Sequence, residues 1–348
     1  MTKNFPSSRK SNENIAQSLL FPTALITSLL SMIFFWSQSA IKIVGPYSIG
    51  FVVLIVGVVL SIIIFPSSYI YGLRVKNESI TSKQLIFNIV TLTIATAVMV
   101  ALVTAVGILL ISQAFVDLTL DRYVSAVIVG AYSGIVVYSL VPAIINLSTQ
   151  SIVRIFSVVM VCGMLLSMIT ATNPLWWEVN FSSLGSTDSK SAVAFNFTLI
   201  LSGLILITMS SHLIDDIHKL LSNMSKRSEN ARVNILKVLF VLIGICMAGV
   251  GIFTYAEHPG LHNLSAYSMV LGFAIIIIGL KKILPFIDAT FLANSYATLS
   301  IIAVCYFLFA RVHYLNLTAF ELLAFGITFA WLVLFVRKII SLQTDRSN

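Results

Sequence analysis

Long apolar stretches alternate with short polar breaks along almost the whole chain. An α-helix needs about 20 mostly apolar residues to cross the hydrocarbon core of a bilayer. Because backbone groups inside a membrane must pair with one another, such stretches are predicted to be helical. The pattern therefore predicts an all-α fold, a polytopic transmembrane helical bundle with about ten spans. The ten stretches are residues 18–40, 48–71, 85–112, 122–146, 151–172, 193–213, 234–255, 264–283, 289–310 and 317–337.

The composition excludes the common soluble classes of protein. Hydrophobic residues make up 58% of the chain and charged residues 10%, and the mean hydropathy is +0.99. A soluble domain has about 45–50% apolar and about 25% charged residues. The chain is therefore neither a cytosolic enzyme nor a nucleic-acid-binding domain, so no nucleic-acid partner is predicted, and membrane lipids are its expected surroundings.

Basic side chains are distributed unevenly between the predicted loops. If the N-terminus is cytoplasmic, 17 of the 21 lysines and arginines fall in cytoplasmic segments, and only Lys42, Arg122, Lys190 and Arg311 fall outside. Membrane proteins retain basic residues on the cytoplasmic side. We therefore predict a cell-membrane protein with both termini in the cytoplasm. The first apolar stretch follows a basic start, as in a signal peptide, but its core is long enough for a retained span.

The first four spans, residues 1–148, are predicted to be packing elements. Small residues recur at four-residue spacing between Thr93 and Ala105 in the third span, and Gly130 and Gly134 do so in the fourth. Small residues at this spacing let helix backbones approach closely. We expect ordinary contacts within the bundle, with a dimer face as the alternative.

The last six spans, residues 149–348, have outer loops that contain the polar and aromatic residues the rest of the chain avoids. The first of these loops, residues 173–185, reads Asn-Pro-Leu-Trp-Trp-Glu-Val-Asn-Phe-Ser-Ser-Leu-Gly, and Phe195-Asn196 follow in the next span. The loop after the seventh span, residues 257–263, reads Glu-His-Pro-Gly-Leu-His-Asn.

The motif Pro-Leu-Trp-Trp-Glu-x-Asn-Phe-Ser-x-Leu-Gly, followed by Phe195-Asn196, resembles the first outer loop of a bacterial family of unknown function, domain family 998. That family belongs with the Frag/DRAM/Sfk group of six-helix membrane proteins. Its second outer loop has a histidine beside the following helix, and His258 and His262 occupy a similar place. The resemblance covers about residues 150–340. It implies a six-helix membrane domain and assigns no chemistry.

These loops are predicted to form a pocket on the outer face that binds a lipid or another component of the cell envelope. A carboxylate inside a span needs a partner, and Arg311 or a histidine is expected to pair with Glu321. Of the adjacent Trp176 and Trp177, one is expected to anchor at headgroup level and the other to point into the bundle. The candidate ligand-binding residues are Trp177, Glu178, Asn180, Ser182, Asn196, His258, His262 and Asn263, and the candidate polar network is Glu257, Arg311 and Glu321.

Three functions remain open from the sequence. The favoured one is a non-enzymatic protein that binds a lipid or an envelope partner, which includes a membrane-protein partner. The alternatives are a transporter or permease component and a membrane-embedded, metal-dependent lipid hydrolase. Histidines and carboxylates suit zinc, but no His-Glu-x-x-His spacing occurs, so neither a metal site nor a catalytic residue is predicted. No Walker loop is found, and no cofactor is predicted.

Overall fold

The computed structural model describes residues 8–76, 80–186, 189–223 and 230–344. Within these ranges the chain forms ten α-helices, each long and apolar enough to cross a membrane. The prediction of an all-α, multi-pass membrane protein is thereby confirmed. The helices are α1 (Ser8–Phe34), α2 (Ile49–Lys76), α3 (Ser82–Ala114), α4 (Arg122–Ile145), α5 (Thr149–Ile169), α6 (Lys190–Asn223), α7 (Asn230–Ile252), α8 (Pro259–Ile283), α9 (Ala289–Ala310) and α10 (Leu317–Thr344).

Several helices extend beyond the apolar stretches that predicted them. Helix α6 continues well past residue 213, because a polar sequence outside the hydrocarbon core can still form helical hydrogen bonds. Capping side chains mark several of the starts. The Asp121 carboxylate accepts a hydrogen bond from the Tyr123 N–H at the start of α4 (2.8 Å). The Asp288 carboxylate does the same for the Phe291 N–H at the start of α9 (2.8 Å), so both satisfy amides that lack an intrahelical partner.

The chain divides into two compact units, Met1–Leu147 and Ser148–Asn348. In the first unit the helices follow the packing order α1, α4, α2, α3. A Cβ on Gly130 of α4 would collide with Ser28 of α1, so the two helices touch through a glycine. The Thr27 and Ser133 hydroxyls hydrogen-bond between the same two helices (2.6 Å). Gly130 therefore serves a contact within the unit, as expected for the small residues of this region.

A short antiparallel pairing of strands, which the hydropathy pattern does not predict, links two connections of the first unit. Strand β1 (Ile41–Lys42) pairs with β2 (Thr119–Leu120). Arg122 follows β2, and its guanidinium lies 4.8 Å from the ring centre of Trp36 and donates to the Trp36 carbonyl oxygen (3.2 Å). This cation–π contact gives one of the few predicted outer arginines a local partner.

The second unit is a ring of six helices. Each helix from α5 to α10 packs on its neighbour in sequence, and α10 returns to pack on α5 and α6. Helices α6 and α7 are in backbone contact, because a Cβ on Gly203 would collide with the Gly244 carbonyl oxygen. A Cβ on Gly244 would lie 2.7 Å from the Gly203 carbonyl oxygen. Only glycine at both positions lets the two backbones meet at this distance.

The two ends of the second unit differ in what they contain. At one end, the loop between α5 and α6 meets the starts of α8 and α10. At the opposite end, Lys338 of α10 pairs with Asp288 at the start of α9, and Gln343 donates to the Asp216 carbonyl oxygen (2.7 Å). The predicted site residues of this unit lie at the first end, which we call the loop end.

Candidate functional site

The α5–α6 loop (residues 173–186) is an ordered structure built from two short 3₁₀ helices, Trp176–Glu178 and Phe181–Gly185. Its anchor is the Phe181 side chain, which is buried and packs edge-on against Phe195 of α6 (5.2 Å between ring centres). Leu184 is buried as well. Burial of these apolar side chains fixes the loop on the helical ring, and polar contacts from three helices then determine its position.

Helix α10 contacts the loop through Glu321. Its Oε2 accepts a hydrogen bond from the Phe181 N–H (2.6 Å). We expected Arg311 or a histidine as the partner of this carboxylate, but the donor is a backbone amide, and the Arg311 side chain is exposed at the end of α9. This short hydrogen bond to a loop amide makes Glu321 a tether for the loop.

Helix α8 contacts the loop through His262, which is only 3% exposed. Its Nδ1 lies 2.8 Å from the Phe253 carbonyl oxygen, and its Nε2 lies 2.9 Å from the Ser182 Oγ. Since a carbonyl oxygen only accepts, Nδ1 donates to it, and Nε2 shares a second hydrogen bond with the Ser182 hydroxyl. The ring thus joins the α5–α6 loop to the end of α7.

Two asparagines and a serine complete the attachment of the loop. Asn196 of α6 donates to the Gly185 carbonyl oxygen (3.0 Å). A Cβ on Gly185 would collide with the same asparagine, so the loop needs glycine there. Asn316 donates to the Trp177 carbonyl oxygen (3.1 Å), and Ser191 donates to the Leu184 carbonyl oxygen (3.2 Å). Each of these side chains satisfies a backbone group that no regular helix pairs.

Four of the predicted site residues therefore come together on this loop, namely Ser182, Asn196, His262 and Glu321. Sequence reasoning missed Ser191 and Asn316. The sequence does indicate Asn316 as a helix-capping residue, because it stands just before an apolar stretch. In the structure its Oδ1 accepts a hydrogen bond from the Ala319 N–H (2.8 Å), as a capping residue does. The structure places these residues as attachments of the loop.

Other predicted site residues lie on the surface of the loop end. Trp177 is 47% exposed, and Glu178, Glu257 and His258 are exposed too. Glu257 accepts from the Thr254 hydroxyl within its own turn (3.4 Å). His258 immediately precedes Pro259, the first residue of α8, and does not share a buried face with His262.

Two asparagines of the predicted site are more enclosed. Asn263 is half-buried beside His262 in the first turns of α8. Asn180 separates the two 3₁₀ helices, and its Oδ1 is buried without a hydrogen-bond partner among the residues that the structure describes. An unpaired buried acceptor costs free energy, so this oxygen is a place where a donor would bind favourably.

A cavity of about 230 Å³ lies beside the loop, between the end of α5 and the start of α6. Trp176 lines it, whereas the neighbouring Trp177 is not among its lining residues. Trp176 is therefore the better candidate for the tryptophan that was expected to point inward. The described residues that line the cavity are Ala171, Thr172, Asn173, Trp176, Val179, Ser183, Leu184, Ser186 and Ser191.

Metal ligands are not grouped at this end of the molecule. Within residues 8–76, 80–186, 189–223 and 230–344, no three histidine, cysteine, aspartate or glutamate side chains lie close enough to hold a metal ion. A catalytic zinc site uses three protein ligands. Within these ranges the structure therefore offers no ligand set for the metal ion that the hydrolase alternative needs.

Comparison of the chain with protein-family models, with curated proteins and with solved structures found no match.

Proposed function

We propose that the chain is a non-enzymatic, multi-pass integral membrane protein whose six-helix unit binds the headgroup of a membrane lipid in the cavity beside the α5–α6 loop. The observation that carries the proposal is the lining of that cavity, which combines the Trp176 indole with hydroxyl and amide groups at one end of the helices. Tryptophan is enriched at the level of lipid headgroups. A concave site with a few polar groups among apolar ones is the usual form of a ligand site.

The attachment of the loop supports this proposal. Side chains from α6, α8 and α10 each hold the α5–α6 loop, through Asn196, His262 and Glu321. When a ligand binds to a site whose walls are already fixed, the free-energy cost of ordering those walls is smaller. The cavity is therefore suited to recognition of one headgroup geometry.

The proposal includes an orientation in the cell membrane, with both termini in the cytoplasm and the loop end outside. In the second unit, the loop end has the basic residues Lys190 and Arg311. The opposite end has many more basic residues, namely Arg154, Lys219, Arg232, Lys237, Lys281, Lys282, Arg337 and Lys338. The cytoplasmic side retains basic residues, which supports an outer position for the cavity.

We also propose that residues 150–340 belong with domain family 998. The motif on which the resemblance depends coincides with the α5–α6 loop and with Asn196, the residue that holds Gly185. A solved structure of a member of that family tests the proposal. An equivalent pair of 3₁₀ helices tethered by an asparagine of the next helix is expected, and an extended loop without that tether would contradict it.

Lipid retention by purified protein tests the proposed function. The full-length wild type, Trp176→Ala and Trp177→Ala are extracted in a mild detergent, and bound lipids are identified by mass spectrometry. Trp176→Ala should lose a lipid that the wild type and the exposed-residue control Trp177→Ala retain. If all three retain the same lipids in the same amounts, the cavity is not the binding site. A solute flux by the reconstituted protein would instead favour the transporter alternative.

A further inference from the structure

The cavity beside the α5–α6 loop has a specific hydrogen-bonding character, which identifies the chemical class of its ligand. Three of its lining residues are serines, and each serine hydroxyl has a single proton to donate. Each of the three hydroxyls can donate that proton to a backbone carbonyl oxygen, and the Ser191 Oγ also shares a hydrogen bond with the Ser167 Oγ (3.1 Å). The donations run from Ser183 to Asn180 (2.6 Å), from Ser186 to Ser182 (3.2 Å) and from Ser191 to Leu184 (3.2 Å).

What these serines still offer is acceptor capacity. A hydroxyl oxygen has two lone pairs, and these remain when its proton is committed. The oxygens of Ser183 and Ser186 therefore suit a ligand that brings several O–H donors, and the buried Ser191, which already bonds to Ser167, has less capacity left. Asn173 adds a donor to this wall, because its Oδ1 already accepts from the Leu175 N–H (2.9 Å) and its amide NH₂ is left.

Charged headgroups fit this lining poorly. None of the described lining residues is an arginine, lysine, aspartate or glutamate. A phosphate brings a negative charge and acceptor oxygens, and the described lining offers it acceptors and no cation. An ammonium group would bring donors, but the described lining has no carboxylate to balance its charge. A neutral group that both donates and accepts matches the lining best.

The size of the cavity and the tryptophan in its lining point to a ring-shaped headgroup. Its volume of about 230 Å³ is below the range of about 300–1,000 Å³ for pockets that enclose drug-sized ligands, so it has room for a headgroup without the acyl chains. The half-buried Trp176 contributes an aromatic residue to the same lining as the serines. A sugar ring presents a C–H face that packs on such an indole and hydroxyl groups that bond at its edge.

We infer that the cavity formed by Trp176, Asn173 and the three serines binds a neutral, polyhydroxylated headgroup, as in a glycosylated diacylglycerol. The inference depends on the proposed function, because it specifies the headgroup bound in the same cavity. Trp176 packs against the ring, and the serine oxygens accept protons from its hydroxyl groups.

The test compares two lipids that have the same acyl chains, diglucosyl diacylglycerol and phosphatidylglycerol. Full-length protein in a non-glycosidic detergent is titrated with each, and the bound fraction is measured by native mass spectrometry. We expect the glycolipid to bind roughly tenfold more tightly or better, as one or two additional hydrogen bonds provide. Trp176→Ala should weaken it by roughly tenfold and Ser186→Ala by roughly three- to tenfold, while Trp177→Ala leaves it unchanged.

The outcomes separate the inference from the proposed function. If phosphatidylglycerol binds more tightly and its binding depends on Trp176, the headgroup class is wrong and the proposed function stands. If neither lipid depends on Trp176, the proposed function fails as well. A competition experiment, in which soluble compounds displace the glycolipid from the wild-type protein, tests the inference even if a variant does not fold. Glucosylglycerol should displace the glycolipid and sodium phosphate should not, and the reverse result overturns the inference.

Discussion

Single residues at the loop end pair with backbone groups more than with each other. Asn196, Asn316 and Glu321 each bond to an amide or carbonyl of the α5–α6 loop. A hydrogen bond of this kind contributes about 0.5–1.5 kcal/mol, but a buried group left unpaired costs about 1–3 kcal/mol. The loss of one tether should therefore be measurable in the stability of the protein.

The carboxylate of Glu321 gives the sharpest test at this scale. Glu321→Ala leaves the N–H of the buried Phe181 without its acceptor, and it should lower the free energy of unfolding by about 1–3 kcal/mol. Glu321→Gln retains an acceptor oxygen and should lose less. The thermal unfolding midpoint of purified protein measures both effects. The exposed Glu178→Ala is the control, and equal losses in the Ala and Gln variants would contradict the assigned bond.

Asp288 gives a pH-dependent prediction. The ammonium of Lys338, and next the Phe291 N–H, hold the pKa of this carboxyl below its ordinary value of about 4. Because the folded-state pKa is depressed, the contribution to stability is present above pH about 4 and is lost as the pH falls through the folded-state pKa. Asp288→Asn retains a capping side chain but loses the charge. The difference in unfolding midpoint between wild type and this variant should be greatest near pH 7, although modest for a partly exposed pair, and should shrink below pH about 4.

Lys338→Gln serves as the partner variant for this pair. If the ion pair carries the effect, Asp288→Asn should change the midpoint much less in the Lys338→Gln background than in wild type. Both side chains are partly exposed, so added salt should also reduce the difference. If the difference in unfolding midpoint changes neither with pH nor with the Lys338→Gln substitution, Asp288 stabilises the protein only as a helix cap.

At the scale of elements, close backbone contact determines how neighbouring helices pack. Helices α6 and α7 meet through Gly203 and Gly244, and α4 meets α1 through Gly130. Lipid tails are as apolar as the helix surfaces, so burial of apolar side chains does little to drive helix association within a membrane. Packing at small residues then contributes much of the association energy.

Gly203→Ala should destabilise the second unit by about 1–3 kcal/mol, because the added methyl group meets backbone atoms of α7 that cannot rotate away. The thermal unfolding midpoint in detergent measures the loss. Gly326→Ala on α10 is the matched control, since a Cβ there meets open space. A Gly203→Ala protein as stable as the Gly326→Ala protein would show that α6 and α7 are not in backbone contact.

At the scale of the whole molecule, charge distribution and apolar length together predict the arrangement in the membrane. Ten described helices can span a bilayer, and the basic residues of the second unit concentrate at the end opposite the α5–α6 loop. The proposal that the site lies outside the cell depends on this asymmetry and on the positive-inside rule.

Single-cysteine labelling checks that orientation. Cys162, Cys246 and Cys305 are free thiols within helices and are first replaced by alanine. A membrane-impermeant maleimide applied to intact cells should label Glu178→Cys at the loop end. Lys282→Cys, at the other end of the second unit, should react only after the membrane is permeabilised. Labelling in the reverse pattern would place the cavity in the cytoplasm.

The sequence by itself determined the fold class, the number of apolar helices and the approximate bounds of most of them, whereas α1 begins and ends earlier than predicted and α6 ends later. These are local properties, because a bilayer requires about 20 apolar residues wherever a chain crosses it. The sequence also located the loop with the polar and aromatic residues. The structure decided that Trp176 and not Trp177 lines the cavity, that a backbone amide is the partner of Glu321, and that Asn316 belongs to the site. Those contacts join residues far apart in the chain, and they depend on the path of two 3₁₀ helices that no periodic pattern encodes.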